Sequence, residues 1–573
     1  MDSGIWLKDC FKTYTLDQDK AVSPEETVTR VKDRLAQTGL DVIQTTERID
    51  NGRLGIPVYV SVCGPDALRV MPTRKQMGKG ATPAQAEASA VMEMVERFSF
   101  FHFLQNGNFI RAKYSQVRDQ AMPFKHIAMS VHHDPNDLER AEKAFAELDL
   151  AWVPGRNLTR DEDVLIPLSW FYEINEFNGT SAGNQMEEAI VQGLCEVVER
   201  HVSAEVTRGK MVTPKLDLNS LKNESARELV EKYHNLGVEL HVRDFTLDMG
   251  VSTVAALAYD PTTFPENSEI VYTAGTATDP EKALIRALTE VAQLGGDFNT
   301  RSNFMPSGLP KFRQLDQADY VLAEGKTATV ADLPDLSHDN IRVEIDRIVE
   351  SLARRGYEAY AVNITHSLLG VPAVYTMVPG AKFRERAVGS SVPFFVAKLL
   401  AAQGSPASIK PAMDRLDALY PGSHFVRFHQ GLALIEQERQ TEAVRVLESA
   451  LDMNPPDEDL AGILTYLGMA LKDLEEYDRA IKVLEQSVKA DEDRQDTYNL
   501  LGFCYFKTKR HEEAIEAFRE VLRLDPGSAV DYANIGSNYR ELGRPDKAAE
   551  YYRTALEIDP TLDWVRDSLA RLG

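Results

Sequence analysis

The sequence predicts a mixed α/β (α+β) body followed by an all-α helical repeat solenoid, and three observations support that division. Residues 20 to 400 alternate apolar, strand-length runs with long helical segments. Roughly the last 150 residues repeat at a step of 34, the scale of stacked helical units. The chain has 573 residues, 43% hydrophobic and 27% charged, which is enough for several domains with buried cores and too apolar for wholesale disorder. A body over residues 1–400, a junction at 401–423 and an array at 424–573 are therefore expected.

Within the body, strands are expected at Val58–Val62, Val251–Tyr259, Tyr357–Ile364 and Val371–Val378, short apolar runs rich in β-branched residues. Three helical segments stand out at 82–98, 184–202 and 278–294. The first and third open with Thr82-Pro83 and Asp279-Pro280, a capping side chain followed by proline at the first helical position. Their polar residues share one spacing. Ser89, Glu93, Glu96 and Arg97 recur as Gln192, Glu196, Glu199 and Arg200, and then as Arg286, Glu290 and Gln293, with Glu188 one turn before Gln192. Offsets of four and three place each set on one helix face. One such helix alone reads better as a solvated charged face, whereas three with the same offsets favour convergence on a cleft. Six carboxylates facing Arg200 and Arg286 would be costly to bury unpaired. Magnesium resolves the conflict, because a hard cation takes carboxylate oxygens on one side and phosphate oxygens on the other, while the arginines reach terminal phosphates. A nucleotide site of this kind needs no Walker A loop, and GxxxxGK[ST] does not occur.

The stripes SxxxExxER, ExxxQxxxExxER and RxxxExxQ, with GKGATPAQAEASA before the first and FNGTSAGNQMEEA before the second, resemble the signature of the YcaO family of ATP-using enzymes. WVPGRNLTRDEDVLIPLSW, VRDFTLDMGVSTVAALAYDP and VNITHSLLGVPAVYTMVPG are similar too. The resemblance covers about residues 20–390, and a match in several ordered blocks is far more specific than a single motif. It implies ATP- and magnesium-dependent O-phosphorylation of a peptide or protein backbone amide, completed by a side-chain heteroatom, an amine or sulfide. Carried over by position, it makes Glu93, Glu96, Glu188, Glu196 and Glu199 magnesium ligands. Arg200, Arg286 and Glu290 become catalytic, and Ser89, Asn184, Gln192, Arg200 and Arg286 become nucleotide contacts. Lys20 and Thr27, seven apart in DKAVSPEET, match a nucleotide-contacting pair and read equally as a solvated lysine and a helix-capping hydroxyl; the role of Lys79 stays open. Departures are His201 after Glu199-Arg200, Leu294-Gly295 after the third stripe, and a terminal SLARLG in place of the proline-rich tail of azoline-forming members. Thioamidation is therefore expected ahead of ring formation.

The repeat is carried by Gly468, Gly502 and Gly536, by Ala480, Ala514 and Ala548, and by Pro526 and Pro560, each 34 apart. Gly431, Ala443, Leu447, Ala450 and Pro455 supply a further copy. These positions resemble the tetratricopeptide repeat (TPR), with copies at about 424–457, 461–494, 495–528 and 529–562 and a closing segment to Gly573. Small residues allow two antiparallel helices to approach closely, and proline ends the second helix. The GSPAS stretch Gly404–Ser408 marks the expected junction.

Composition narrows the function classes. The chain carries 88 Asp+Glu against 64 Lys+Arg, a net charge of −24, and no basic run, so nucleic acid and anionic membrane are not expected partners. Four scattered cysteines show no paired spacing, which argues against disulfides and structural zinc and points to a reducing cytoplasm. The start lacks a signal-peptide pattern, and no run of about 18 apolar residues occurs. His132-His133 reads as a solvated loop, and Cys195, Trp152 and Trp170 as packing residues. Expected partners are a peptide or protein substrate and a sulfur-delivering or modifying enzyme received by the repeats, with the protein a homodimer. Two other functions compete: an accessory ATPase of the kind linked to methylthiolation of a ribosomal protein, and a non-catalytic scaffold.

Overall fold

The computed structural model describes residues 2–50, 54–132, 134–265, 268–295, 312, 314–383, 390–403, 406–525 and 527–572. His133, Gly404, Ser405, Pro526 and Gly573, which entered the sequence reading, lie outside them. The described residues form two compact units, one from residues 2–131 and 149–383 and the other from 132 and 134–148 with those from 390 onward. No helix among them is long and apolar enough to cross a membrane.

The first unit is mixed α/β, as expected. An antiparallel meander contains β1 (Ile43–Arg48), β2 (Val58–Cys63) and β3 (Lys75–Lys79). A second sheet contains β4 (Ile110–Ala112), β5 (Leu150–Asn157), β6 (Glu162–Pro167), β7 (Thr180–Ala182), β13 (Tyr360–Asn363) and β14 (Ala373–Met377), in the order β4-β5-β13-β14-β7 with β6 paired to β5. The third holds β8 (Lys215–Leu216), β9 (Glu239–Asp244), β10 (Thr253–Tyr259), β11 (Val271–Thr276) and β12 (Thr327–Ala328), in the order β11-β10-β9-β8-β12. The four expected strands correspond to β2, β10, β13 and β14.

In these orders β3, β7 and β11 are edge strands, and each leads into one of the striped helices: Pro83–Asn106, Met186–Gly209 and Pro280–Leu294. Thr82 caps the first, accepting from the Gln85 N–H, and Asp279 caps the third, accepting from the Glu281 and Lys282 N–H groups. The three strand-plus-helix segments share their spacing. Gly78, Ser181 and Gly275 on the strands precede Ala86, Ala189 and Ala283 on the helices by eight residues and Glu93, Glu196 and Glu290 by fifteen.

What the shared spacing secures is a close crossing of strand on helix. A Cβ at Gly78 would lie 2.0 Å from Ala90 N and 2.4 Å from Ala86 O; one at Gly275 would lie 2.4 Å from Ala283 O and 2.5 Å from Ala287 N. In the middle segment the glycine sits on the helix, where a Cβ at Gly193 would meet Ser181 Oγ at 2.6 Å, and Ser181 Oγ donates to Ala189 O at 2.7 Å. Each helix also touches the edge strand of another segment: the first helix packs on β3 and β7, the second on β7 and β11, and the third on β11 and β3. The three segments thus close into a ring with the polar stripes on its inside.

The second unit contains helices at Val392–Gln403 and Pro406–Leu419, then the pairs His424–Glu436 with Gln440–Leu451, Asp457–Asp473 with Tyr477–Ala490, Gln495–Lys507 with His511–Leu524, and Ala529–Glu541 with Pro545–Ile558, closed by Asp563–Ala570. In each pair one glycine accommodates the residue sixteen positions on. Gly431 faces Leu447, Gly468 faces Leu484, Gly502 faces Phe518 and Gly536 faces Tyr552, while Ala443, Ala480, Ala514 and Ala548 are fully buried.

A methyl group at Gly275 has no room between β11 and the third helix. Gly275→Ala is expected to cost roughly 1–3 kcal/mol of stability, the usual range for overpacking, read from the shift of a urea unfolding curve. An unchanged curve would show that the crossing is looser than described.

Candidate functional site

The ring places the stripe residues in two groups joined along the second helix. In the first, Arg97 donates from Nε and Nη2 to Glu93 Oε1 at 3.1 and 2.8 Å, lies 3.2 Å from Glu96 Oε1 and donates to Thr180 Oγ1 at 3.0 Å. Thr180, on β7, donates to Glu96 Oε1 at 2.6 Å. The Phe177 ring supports the guanidinium, 4.2 Å from its centroid. Glu196 approaches this group from the second helix and pairs with Arg200 at 3.6 Å. In the second group, Glu199 accepts from the Thr276 N–H of β11 at 2.9 Å, and Glu290 pairs with Lys79 of β3. Gln192 Oε1 accepts from Arg286 Nη1 at 2.8 Å. Ser89 sits half-buried one turn before Glu93.

The remaining sequence-derived residues meet beside this pair of groups. Lys20 Nζ lies 3.7 Å from Glu188 Oε1. Asn184 Nδ2 donates to Thr27 Oγ1 at 3.0 Å and to Glu188 Oε1 at 3.1 Å, and the Ala21 N–H donates to Glu188 Oε2 at 3.0 Å. Both Glu188 oxygens are thus occupied by protein donors. A cleft of about 510 Å³, including its open mouth, runs from Lys20 and Glu188 to Gln192 and Arg286. Asp19, Lys282 and Glu344 also line it and belong to a charge network absent from the sequence reading: Asp19 pairs with Lys12 at 2.9 Å and with Lys282, and Lys12 pairs with Glu344 at 2.7 Å.

Sequence reasoning left Arg97 without a role, left Lys79 open, and missed Thr180, Thr276 and the Asp19 network. Arg97 stood in the quoted stripe, and the recurrence of Glu96-Arg97 as Glu199-Arg200 could have marked it. The others carry no local signal, because their partners lie far along the chain. His201 is packed as expected, accepting from the Lys382 N–H at 3.0 Å. Cys195 is buried, and burial pushes its thiol up to about 12. The indoles of Trp152 and Trp170 are buried and donate to Ala112 O and Ser130 Oγ.

The electrostatics indicate what the site can hold. Burial is the main cause that pushes Glu96 well above the usual carboxylate range, with Glu93 adding to it; burial also raises Glu196. Glu199 rises to about 7, through burial first and the neighbouring Glu290 second. Glu290 is half-buried; desolvation pushes it up, yet Lys79 holds its carboxyl below the ordinary value. A hard cation is the group that relieves such carboxylates. Arg286 Nε is buried without an acceptor, as suits a guanidinium shaped for an oxyanion. No three His, Cys, Asp or Glu side chains among the described residues already form a metal cage. The residues present fit magnesium and a polyphosphate.

Comparisons with known proteins agree with this chemistry. Residues 77–382 match the family described as YcaO cyclodehydratase, ATP- and Mg2+-binding, and residues 459–527 and 493–561 match the tetratricopeptide repeat. An uncharacterized protein of Methanothermobacter thermautotrophicus is 32% identical over 390 residues, covering 63% of this chain and 94% of that protein. The ribosomal protein S12 methylthiotransferase accessory factor YcaO of Escherichia coli K12 is 26% identical over 238 residues, 38% of this chain and 40% of that protein. Among solved structures, a heterocyclase in complex with substrate and cofactor superposes with a TM-score of 0.55 at 22% identity, covering 68% of this chain and 55% of that one, a likeness of fold.

The raised carboxyls set a pH dependence. A folded-state value near 7 for Glu199, above the ordinary 4.5, means that the folded protein holds an extra proton between the two. Its stabilising share is complete at low pH and is lost as pH rises through 7. Added Mg2+ with a non-hydrolysable ATP analogue is therefore expected to raise the melting temperature more at about pH 8 than at about pH 5.5. Equal shifts at both would show that these carboxyls do not meet the cation.

Proposed function

The chain belongs to the YcaO family of ATP- and Mg2+-binding proteins, and on that premise we propose that it uses ATP and Mg2+ to activate a backbone amide of a peptide or protein by phosphorylating the amide oxygen. The observation that carries this reading is the ring of buried and half-buried carboxylates in which Glu96, Glu196 and Glu199 are pushed up by desolvation beside Arg286. A carboxylate cluster of that kind serves a cation, and an arginine within it serves an anion. When bound, Mg2+ and ATP supply charge neutralisation and the phosphoryl group that turns the amide oxygen into a leaving group.

The protein's part is positioning. Glu93, Glu96, Glu196 and Glu199 are proposed to hold magnesium, with Arg97 and Thr180 fixing the first two in orientation. Gln192 orients Arg286, and Arg286 and Arg200 would receive the terminal phosphate oxygens of a bound nucleotide. Glu188 tethers Lys20, Ala21 and Asn184, so direct metal ligation by Glu188 would require it to exchange those donors for the ion. The four cysteines are buried, with Cys10 and Cys195 pushed up to about 11 and about 12 by burial, so a thiol-borne nucleophile must come from outside the chain.

Among the products such activation allows, we place thioamidation first and ring closure second. Thioamidation needs a sulfur-delivering partner, and the repeat array is a reception surface of the kind a partner protein uses. A second reading follows from the similarity to the accessory factor of Escherichia coli: ATP use supports another modifying enzyme docked on the repeats. A homodimer is the proposed assembly, to be read from sedimentation.

Purified protein is expected to hydrolyse ATP with Mg2+, and Glu196→Gln to reduce turnover by about 10²-fold or more; equal turnover would sink the site assignment. With a modified substrate in hand, mass spectrometry separates the products. Exchange of one oxygen for one sulfur marks thioamidation, and loss of one water marks ring closure. An unmodified peptide with intact ATP use would favour the accessory reading.

A further inference from the structure

The ring is symmetric in backbone and asymmetric in charge, and the asymmetry falls at one joint. At two joints a fixed donor on a strand meets a carboxylate of a helix from another segment. Thr180 of β7 donates its hydroxyl to Glu96 at 2.6 Å, and Thr276 of β11 donates its N–H to Glu199 at 2.9 Å. At the third joint, β3 reaches Glu290 with Lys79. Lys79 holds the position in its segment that Thr276 holds in its own, directly after Gly78 and Gly275. The third helix has Gln293 and Leu294 where the others have Glu96-Arg97 and Glu199-Arg200. This joint therefore lacks the Glu-Arg pair of the other two helices, its own arginine, Arg286, lies one turn before Glu290, and its strand donor is carried on a long flexible stem.

Gly78 and Gly80 fix where that stem begins. Cβ atoms at these positions would lie 2.0 Å from Ala90 N and 2.6 Å from Ala86 N, so this face of β3 is pressed against the first helix. Period-two alternation then sends Lys79 off the opposite face, towards the third helix. An ammonium is a compact, strongly hydrated point charge on a four-carbon stem with three donors. It can leave one anion for a neighbouring one, whereas the hydroxyl of Thr180 and the N–H of Thr276 cannot. A cation that only had to tie β3 to the third helix would not need such reach.

We propose that Lys79 is the exchangeable cation of the site: without nucleotide it neutralises Glu290, and when an Mg2+–nucleoside triphosphate occupies that carboxylate, the ammonium turns to the terminal phosphate oxygens and becomes a catalytic contact. The inference rests on the nucleotide reading above and adds a residue to it. The exchange conserves local charge, since the carboxylate trades an ammonium for a share of the metal and the released charge meets phosphate.

The test uses the full-length protein and two binding measurements. Mn2+ binding to nucleotide-free protein, followed by the electron paramagnetic resonance of the free ion, is expected to tighten about tenfold in Lys79→Met, because a competing cation is gone. Calorimetric affinity for a Mg2+-loaded, non-hydrolysable ATP analogue is expected to weaken about tenfold in the same variant, because a charge-assisted contact is lost. Lys79→Gln, which retains a hydrogen bond to Glu290, carries the same two expectations if Lys79→Met does not fold. Unchanged Mn2+ and nucleotide affinities with only a lower melting temperature would overturn the proposal and leave a structural ion pair. Failure of the wild-type protein to bind the analogue would instead overturn the nucleotide reading itself.

Discussion

Everything in the first unit depends on the closeness with which three strand ends cross three helices. The missing side chains at Gly78 and Gly275 bring backbone against backbone, and the one at Gly193 makes room for the Ser181 and Thr376 side chains, so each edge strand reaches past its own helix to a neighbouring one. Only then can Thr180, Thr276 and Lys79 meet carboxylates that belong to other segments. Larger residues at the crossings would push the edges outward by the width of a side chain, and the ring would open where its polar groups meet. The site is therefore a consequence of packing before it is one of charge.

Charge then distinguishes the two groups inside the ring. Arg97 is fixed by Glu93, Glu96, Thr180 and the Phe177 ring, so the first group carries its counter-ion permanently. The second relies on a backbone N–H and on Lys79. In both, burial leaves carboxyls whose ionisation is disfavoured. A bound cation restores that ionisation, and the resulting cost to the cation-free fold is an expected feature of a functional site, where groups are held away from their individual optima.

The repeat arm follows a simpler rule. Each glycine meets the residue sixteen positions on, so every packing contact that defines a helix pair lies within one copy. Local contacts of this type repeat in the sequence with the period of the structure, which is why the 34-residue step could be read directly. Pro526, one of the markers of that step, lies outside the described residues.

By itself, the sequence determined the helix stripes, their caps, the repeat period and the types of residue at the site, because each is set by neighbours three, four or thirty-four positions away. It could also supply the expectation that the stripes meet, since one spacing recurred three times. The tertiary structure alone decided how they meet. Lys79 and Glu290 are 211 residues apart, Thr180 and Glu96 are 84 apart, and Lys282 and Asp19 are 263 apart. Pairs at such separations leave no period to detect. Which carboxylate receives which donor follows from the order in which three sheet edges close around three helices, a property of the folded chain that no local pattern encodes.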